Sequence, residues 1–225
     1  MRSSFLLLIS LASAAQAAPP ARVEITYEVS RNGSAVAEVV ERLEHGAGWY
    51  RLSETWKGKG IYAMRGEIRR SSRGSVGPEG LRPLEFSDER TGRDTARARF
   101  DWKANTLTQQ YKGAPQTIPL PPNAHDRLAF LFEFAFEPPR DGALTLGIAD
   151  GRGVSTHVYR PAGKERVRTP AGEFDAVRMV RRKEGSGERV EIWLAAQKSL
   201  LPVRILIVQK DGTRIDQVAT RISAP

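Results

Sequence analysis

The spacing of its turns constrains this chain more than any other feature. Glycine-bearing turn signals recur at Asn32-Gly33, Gly46-Ala47-Gly48, Gly58-Lys59-Gly60, Pro78-Glu79-Gly80, Thr91-Gly92, Lys112-Gly113, Asp141-Gly142, Asp150-Gly151, Ala162-Gly163, Ala171-Gly172, Gly185-Ser186-Gly187 and Asp211-Gly212, and most stretches between them have strand length rather than helix length. Several of those stretches alternate. Val23, Ile25, Tyr27 and Val29 interleave with Glu24, Thr26 and Glu28; Ala96, Ala98, Phe100 and Trp102 interleave with Arg97, Arg99 and Asp101. Val190, Ile192 and Leu194 interleave with Glu191 and Trp193, and Val203, Ile205 and Ile207 with Arg204 and Leu206. Successive strand side chains point to opposite faces, so a period of two puts one set on a core and the other in water. The pattern predicts an all-β, mainly antiparallel fold, with a curved sheet forming an open barrel, a bowl or a sandwich.

One segment breaks the rhythm. Pro119-Leu120-Pro121-Pro122 ends a strand, Asn123 or Asp126 can cap a helix, and Leu128 to Phe136 then runs on to Pro138-Pro139. As a strand it would put Phe130, Phe132, Phe134 and Phe136 on one face and leave Glu133 and Glu137 beside Leu131 and Ala135 on the other. A short helix, apolar nearly all round and buried against the sheet, accounts for the segment better. It is the one helix expected.

Residues 1–17 read as a removable export signal. Arg2 is the positive start, Phe5 to Ala12 an apolar stretch too short for a membrane anchor, and Ala15-Gln16-Ala17 a small-x-small cleavage site. The remainder, 18–225, shows no break in composition and no internal repeat, which points to a single β-rich domain. The chain has no cysteine, so the acylated cysteine of a lipoprotein is missing and packing rather than cross-links must supply stability. A soluble periplasmic protein without a transmembrane helix is expected.

Catalytic signatures are mostly missing: no nucleophile elbow, phosphate loop, dinucleotide fingerprint or His-Glu-x-x-His zinc motif occurs. His45, His125 and His157 lack ligand spacing, so no metal and no cofactor is expected. The densest polar cluster is His125-Asp126-Arg127. It is either a general base with an orienting carboxylate at the mouth of a cavity, or, as is favoured here, a helix cap in which Asp126 meets the dipole and Arg127 makes a surface ion pair. Glu85, Asp88 and Glu89, or Glu133 and Glu137, could supply paired carboxylates, with nothing to select a pair.

Arginine carries the net charge of +9. Arg65, Arg69, Arg97 and Arg99 could form an anion-binding face toward an anionic envelope surface, although solvated sheet faces explain them at least as well. Nucleic acid is not an expected partner of an exported chain. Trp49, Trp56, Tyr62, Trp102, Phe130, Phe134 and Trp193 could line a hollow for an apolar, lipid-like or acyl ligand, or simply fill the core.

Phe100-Asp101-Trp102, Asp126-Arg127-Leu128, Thr169-Pro170-Ala171-Gly172-Glu173-Phe174-Asp175-Ala176, Ile192-Trp193-Leu194-Ala195 and Leu201-Pro202-Val203-Arg204-Ile205 give the chain its kinship. So does Gly80-Leu81-Arg82-Pro83-Leu84-Glu85-Phe86. With these motifs it resembles the exported bacterial family catalogued as domain of unknown function 3108. That resemblance implies a β-rich, periplasmic or envelope-associated domain and supplies no catalytic residues. Three readings follow: a non-enzymatic envelope protein binding a lipid-like ligand, a hydrolase or transferase on an envelope polymer, and a module that scaffolds another envelope protein through a strand edge.

Overall fold

The computed structural model describes residues 19–139, 142–182 and 187–224, so the export signal expected at 1–17 lies outside the described residues. Eight strands run in chain order from the N-terminus: β1 (Arg22–Arg31), β2 (Ser34–Gly46), β3 (Trp49–Gly58), β4 (Glu67–Gly77), β5 (Gly80–Arg90), β6 (Ala96–Asp101), β7 (Thr106–Gln110) and β8 (Gln116–Pro119). A 3-10 turn, Gly60–Arg65, sits between β3 and β4. Then come β9 (Ala124–Asp126), the helix α1 (Ala129–Phe136), β10 (Leu144–Ala149), β11 (Val154–Thr169), β12 (Gly172–Arg182), β13 (Arg189–Ala195), β14 (Leu201–Val208) and β15 (Arg214–Ser223).

All of these strands join one 15-stranded sheet in the order β8-β7-β6-β5-β4-β3-β2-β1-β15-β14-β13-β12-β11-β10-β9. Each neighbouring pair is antiparallel except β9 and β10, which are parallel because α1 connects them. The sheet is therefore mixed, and its hydrogen-bonded ladder is not closed into a barrel. Elements from opposite ends of the order nevertheless meet: α1 packs on β5 and β14, and β9 on β5. Gly151, after β10, has φ +79°, and a Cβ there would stand 2.6 Å from the backbone nitrogen of Arg97 on β6. Only glycine permits so close an approach of two backbones.

The alternation translates into burial where one face is wet. In β1, Val23, Ile25, Tyr27 and Val29 are buried, and β6 buries Ala96, Ala98 and Phe100 while exposing Arg97, Arg99 and Asp101. Trp102 does not continue that row. β6 ends at Asp101, whose carboxylate accepts the N–H groups of Lys103 (3.0 Å) and Ala104 (2.7 Å), and this starts a turn. In β13 both parities are covered: Glu191 and Trp193 are buried along with Val190, Ile192 and Leu194. The alternating pattern is there, but both faces are largely covered.

The helix lies where the sequence places it, buried from Ala129 to Ala135. Of the two candidate caps, Asp126 acts: its Oδ1 accepts the N–H groups of Leu128 and Ala129, both at 2.8 Å. Its Oδ2 accepts the Ser72 hydroxyl at 2.5 Å, tying the helix entry to β4. Glu133, the acid inside the apolar helix, accepts the Leu81 N–H at 2.8 Å and stands 3.1 Å from His125 Nε2. Gly80, with φ +85°, leaves room for that carboxylate, because a Cβ there would collide with Glu133 Oε1. Among the described residues no helix is long and apolar enough to cross a membrane.

Candidate functional site

The site begins with a breach of the alternation rule. Glu41, Glu54, Arg70 and Asp88 occupy inward parities of β2, β3, β4 and β5, and each is at most 6 % exposed. The register places Glu41 opposite Glu54, Glu54 opposite Arg70, and Arg70 opposite Asp88, one continuous row across four strands. Directly opposed side chains on one face touch, so Arg70 pairs with the acids on both sides of it, while Glu41 at the end of the row meets another acid, Glu54. Arg70 Nη1 donates to Glu54, and Arg70 Nε lies 3.4 Å from Asp88. Asp88 also accepts two bonds from Arg90, at 3.1 and 2.8 Å, and one from Arg152 at 2.9 Å. Arg152 reaches it from the turn after β10, so this bond bridges the two halves of the sheet.

Charge states follow from these neighbours. Burial pushes the Asp88 carboxyl up, but Arg90, Arg70 and Arg152 outweigh it and hold it well below the usual carboxylate range. Burial and the neighbouring Glu54 carboxylate raise Glu41 well above that range, so the end of the row holds a proton. Tyr27, raised by burial and by Glu41, donates its hydroxyl to the Pro202 carbonyl at 2.8 Å.

Over this polar floor opens a half-enclosed cavity of about 550 Å³. Glu54, Trp56 and Arg70 line it from the N-terminal strands, and Leu128, Phe130 and Leu131 from the helix. Val190, Ile192, Ile205, Ile207 and Ile215 form an apolar wall from β13, β14 and β15. Phe130 stacks on Tyr159 at 5.9 Å between centroids, and burial pushes the Tyr159 phenol up to about 12. Arg127, Arg152 and Arg181 add positive charge to the lining.

The arginines differ in what they face. Arg70 and Arg152 are paired with acids of the row, and Arg181 with Glu188 at 2.6 Å. Arg127 is exposed and is also among the residues that line the cavity, and desolvation together with the Arg70 charge pulls its pKa down. Among the described residues no carboxylate comes within ion-pair distance of it and no acceptor takes its hydrogen bonds. Arg127 is exposed as expected, but among the described residues the ion pair expected of it is not made, and the residue borders the cavity instead.

His125 does not line the cavity. It is buried behind the helix, with Nδ1 3.1 Å from the Asn123 carbonyl and Nε2 facing Glu133. Burial lowers its pKa, but Glu133 and the Asn123 carbonyl outweigh burial, and the net shift is upward. His45 and His157 lie on other strands, and among the described residues no group of three His, Asp or Glu side chains is placed to hold a metal ion. Of the carboxylates considered as pairs, Asp88 points inward to its arginines while Glu85 meets Arg73 at 2.9 Å on the outer face. Glu133 is committed to Leu81 and His125.

The seven aromatic candidates are dispersed. Trp56 and Phe130 reach the cavity; Phe134 is core. Trp193 lies on the other face of β13, where its indole N–H donates to Glu165 at 2.5 Å and Arg204 covers the ring at 4.8 Å. Trp102 donates to the Pro83 carbonyl at 2.7 Å, Tyr62 lies under Arg65, and Trp49 is 48 % exposed. The four arginine candidates are not one patch either. Arg97 and Arg99 share an outer groove with Arg51, Arg73 and Glu85, whereas Arg69 pairs with Glu67 at 2.6 Å and Arg65 is on the 3-10 turn.

A larger concavity of about 1080 Å³ lies along β11–β13, lined mainly by polar and charged side chains: Arg178 meets Glu191 at 3.2 Å, Arg189 meets the same carboxylate at 2.8 Å, and Arg160 has no carboxylate partner among the described residues. The smaller cavity combines an apolar wall with a cation lacking a partner, and it is the candidate site.

Fold and site together define a protein of one open, mixed β-sheet around a short helix, with an amphiphilic interior cavity. A family model described as "Protein of unknown function (DUF3108)" matches residues 22–218, and the chain belongs to that family. Among solved structures it is similar to a "putative exported protein with YmcC-like fold" from Bacteroides fragilis NCTC 9343, at 14 % identity and TM-score 0.43, covering 92 % of this chain and all of the other. A "putative lipoprotein" from Parabacteroides distasonis ATCC 8503 follows at 10 % identity and TM-score 0.38, covering 92 % and 96 %. No curated protein matches it.

Proposed function

We propose that this is an exported, non-enzymatic protein of the periplasm, not itself a lipoprotein, that binds an apolar, acyl-type ligand in its interior cavity. The observation that carries this is the cavity itself. Its volume of about 550 Å³ falls within the ~300–1,000 Å³ of small-ligand sites, and such sites are mostly apolar with a few placed polar groups. The export signal read at residues 1–17 and the absence of cysteine support the location. His125 is tied up in joining helix to sheet and stands apart from the cavity, which weighs against the hydrolase reading. The scaffold reading needs a long open edge; the end strands β8 and β9 are four and three residues long, and the longer edge is residues 160–169 of β11, which pair with β12 alone.

The test is to purify the protein from its native envelope and analyse organic extracts by mass spectrometry, beside an Ile205→Trp variant that fills the apolar wall. Recovery of a chain-bearing molecule from the native protein and its loss from the variant is expected. A native protein that repeatedly yields no extractable ligand, and binds no added fatty acid, would refute the reading.

A further inference from the structure

A row of inward charges beside a hydrophobic wall raises the question of which charge is left over. On the cavity side of the sheet, the guanidiniums of Arg70, Arg90, Arg127 and Arg152 face the carboxylates of Glu54, Asp88 and Asp150. Three of those arginines have carboxylate partners within 4.0 Å. Arg127 has none among the described residues, although it lines the cavity together with Ile192, Ile205, Ile207 and Ile215. Arg127 is exposed, so an incoming anion can reach it, and among the described residues no carboxylate already occupies its donors. Guanidinium presents a planar fork of donors that fits the paired oxygens of a carboxylate or phosphate.

The geometry points to Arg127 as the head-group receptor of the cavity. The ligand is an anionic amphiphile whose carboxylate or phosphate oxygens accept hydrogen bonds from Arg127 while its chain lies along the isoleucine wall. This rests on the proposal that the cavity binds an apolar chain, and adds to it the charge of the head and the residue that reads it. The rest of the lining fits one such ligand: the acids near Arg127 are already engaged, Asp150 by the N–H of Arg152 at 2.9 Å and Asp88 by its arginines. A bound anion therefore displaces no existing ion pair.

Dodecanoate, dodecyl phosphate, 1-dodecanol and inorganic phosphate, each titrated calorimetrically into the full protein, separate the parts. An anionic dodecyl compound is expected to bind roughly tenfold or more tightly than the alcohol, since a hydrogen bond to a charged group is at stake. The two heads tell carboxylate from phosphate. Arg127→Gln is expected to bring the anionic compounds down to the affinity of the alcohol, and Arg127→Lys to keep part of the preference. The comparison of heads on the unaltered protein stands even if a variant folds poorly. Equal binding of all three dodecyl compounds overturns the head-group assignment and leaves the apolar cavity standing. Binding of none of them overturns both. Inorganic phosphate binding as tightly as dodecyl phosphate assigns the site to a free anion and overturns the amphiphile.

Discussion

Replacing Asp88 by asparagine tests whether the inward row is a charge network or merely polar filling. No part of Asp88 is accessible, and four contacts from three guanidiniums converge on it: two from Arg90, one from Arg152 and one, at 3.4 Å, from Arg70. An amide keeps the shape but loses the charge and turns N–H donors toward other donors. Removing one partner of a buried ion pair costs ~3–5 kcal/mol. The lower end applies here. Arg70 keeps Glu54, and Arg90 and Arg152, at 26 % and 23 % accessible, can turn to water. For a chain of this size each kcal/mol lowers the melting midpoint by ~2–4 °C, so Asp88→Asn is expected to melt about 6–12 °C lower at pH 7. Because the folded-state pKa of Asp88 is depressed, its contribution is complete above the ordinary carboxylate pKa and lost as pH falls through the folded value. The gap between the proteins, followed by circular dichroism, should persist down to about pH 4 and close only below it. A variant melting within about 2 °C of the parent at pH 7 would falsify the network reading.

Two other buried groups make predictions of opposite sign. Glu41 is raised by burial and by Glu54, so the folded protein loses stability as pH rises from the ordinary carboxylate pKa through the folded one. Glu41→Gln mimics the protonated form; its midpoint should match the parent near pH 4 and exceed it by several degrees at pH 8, and a lower midpoint at pH 8 would contradict this. His125 is raised on balance by Glu133 against the opposing effect of burial, so its contribution is full below the ordinary histidine pKa and fades as pH rises through the folded value. Urea titrations should therefore find His125→Gln more costly at pH 6 than at pH 9; an equal cost at both would rule out the charged pair.

Much of the fold is legible because it is written locally. The strand period follows from the geometry of extended backbone and needs no partner to be read, so the apolar rows of β1 and β6 come directly from the chain. So does the helix between Pro122 and Pro138, and Asp126 as its cap, since a cap acts on N–H groups two and three residues away. The limits of that reading are equally physical. Trp102 falls on the right parity but past the end of its strand, and Trp193 falls on a face that tertiary packing covers. Among the residues of the cavity, Trp56, Phe130 and Arg127 stand out in the sequence, Arg127 with the wrong surroundings. Glu54 and Arg70 do not stand out. The one signal for Glu54 is a charge on an apolar parity, between Leu52 and Trp56; Arg70, between Ile68 and Ser72, lacks even that.

By itself, then, the sequence determined the class of element, the position of the helix and the side of each strand that seeks cover. Only the tertiary structure decided that Glu41, Glu54, Arg70 and Asp88 form one row, because cross-strand partners depend on register, which hairpin geometry sets one pair at a time. It alone also decided that the isoleucines of β13–β15 face Arg127 across a hollow. That juxtaposition joins residues far apart in the chain, and arises where the helix packs against β5 and β14 together, an arrangement no local period encodes.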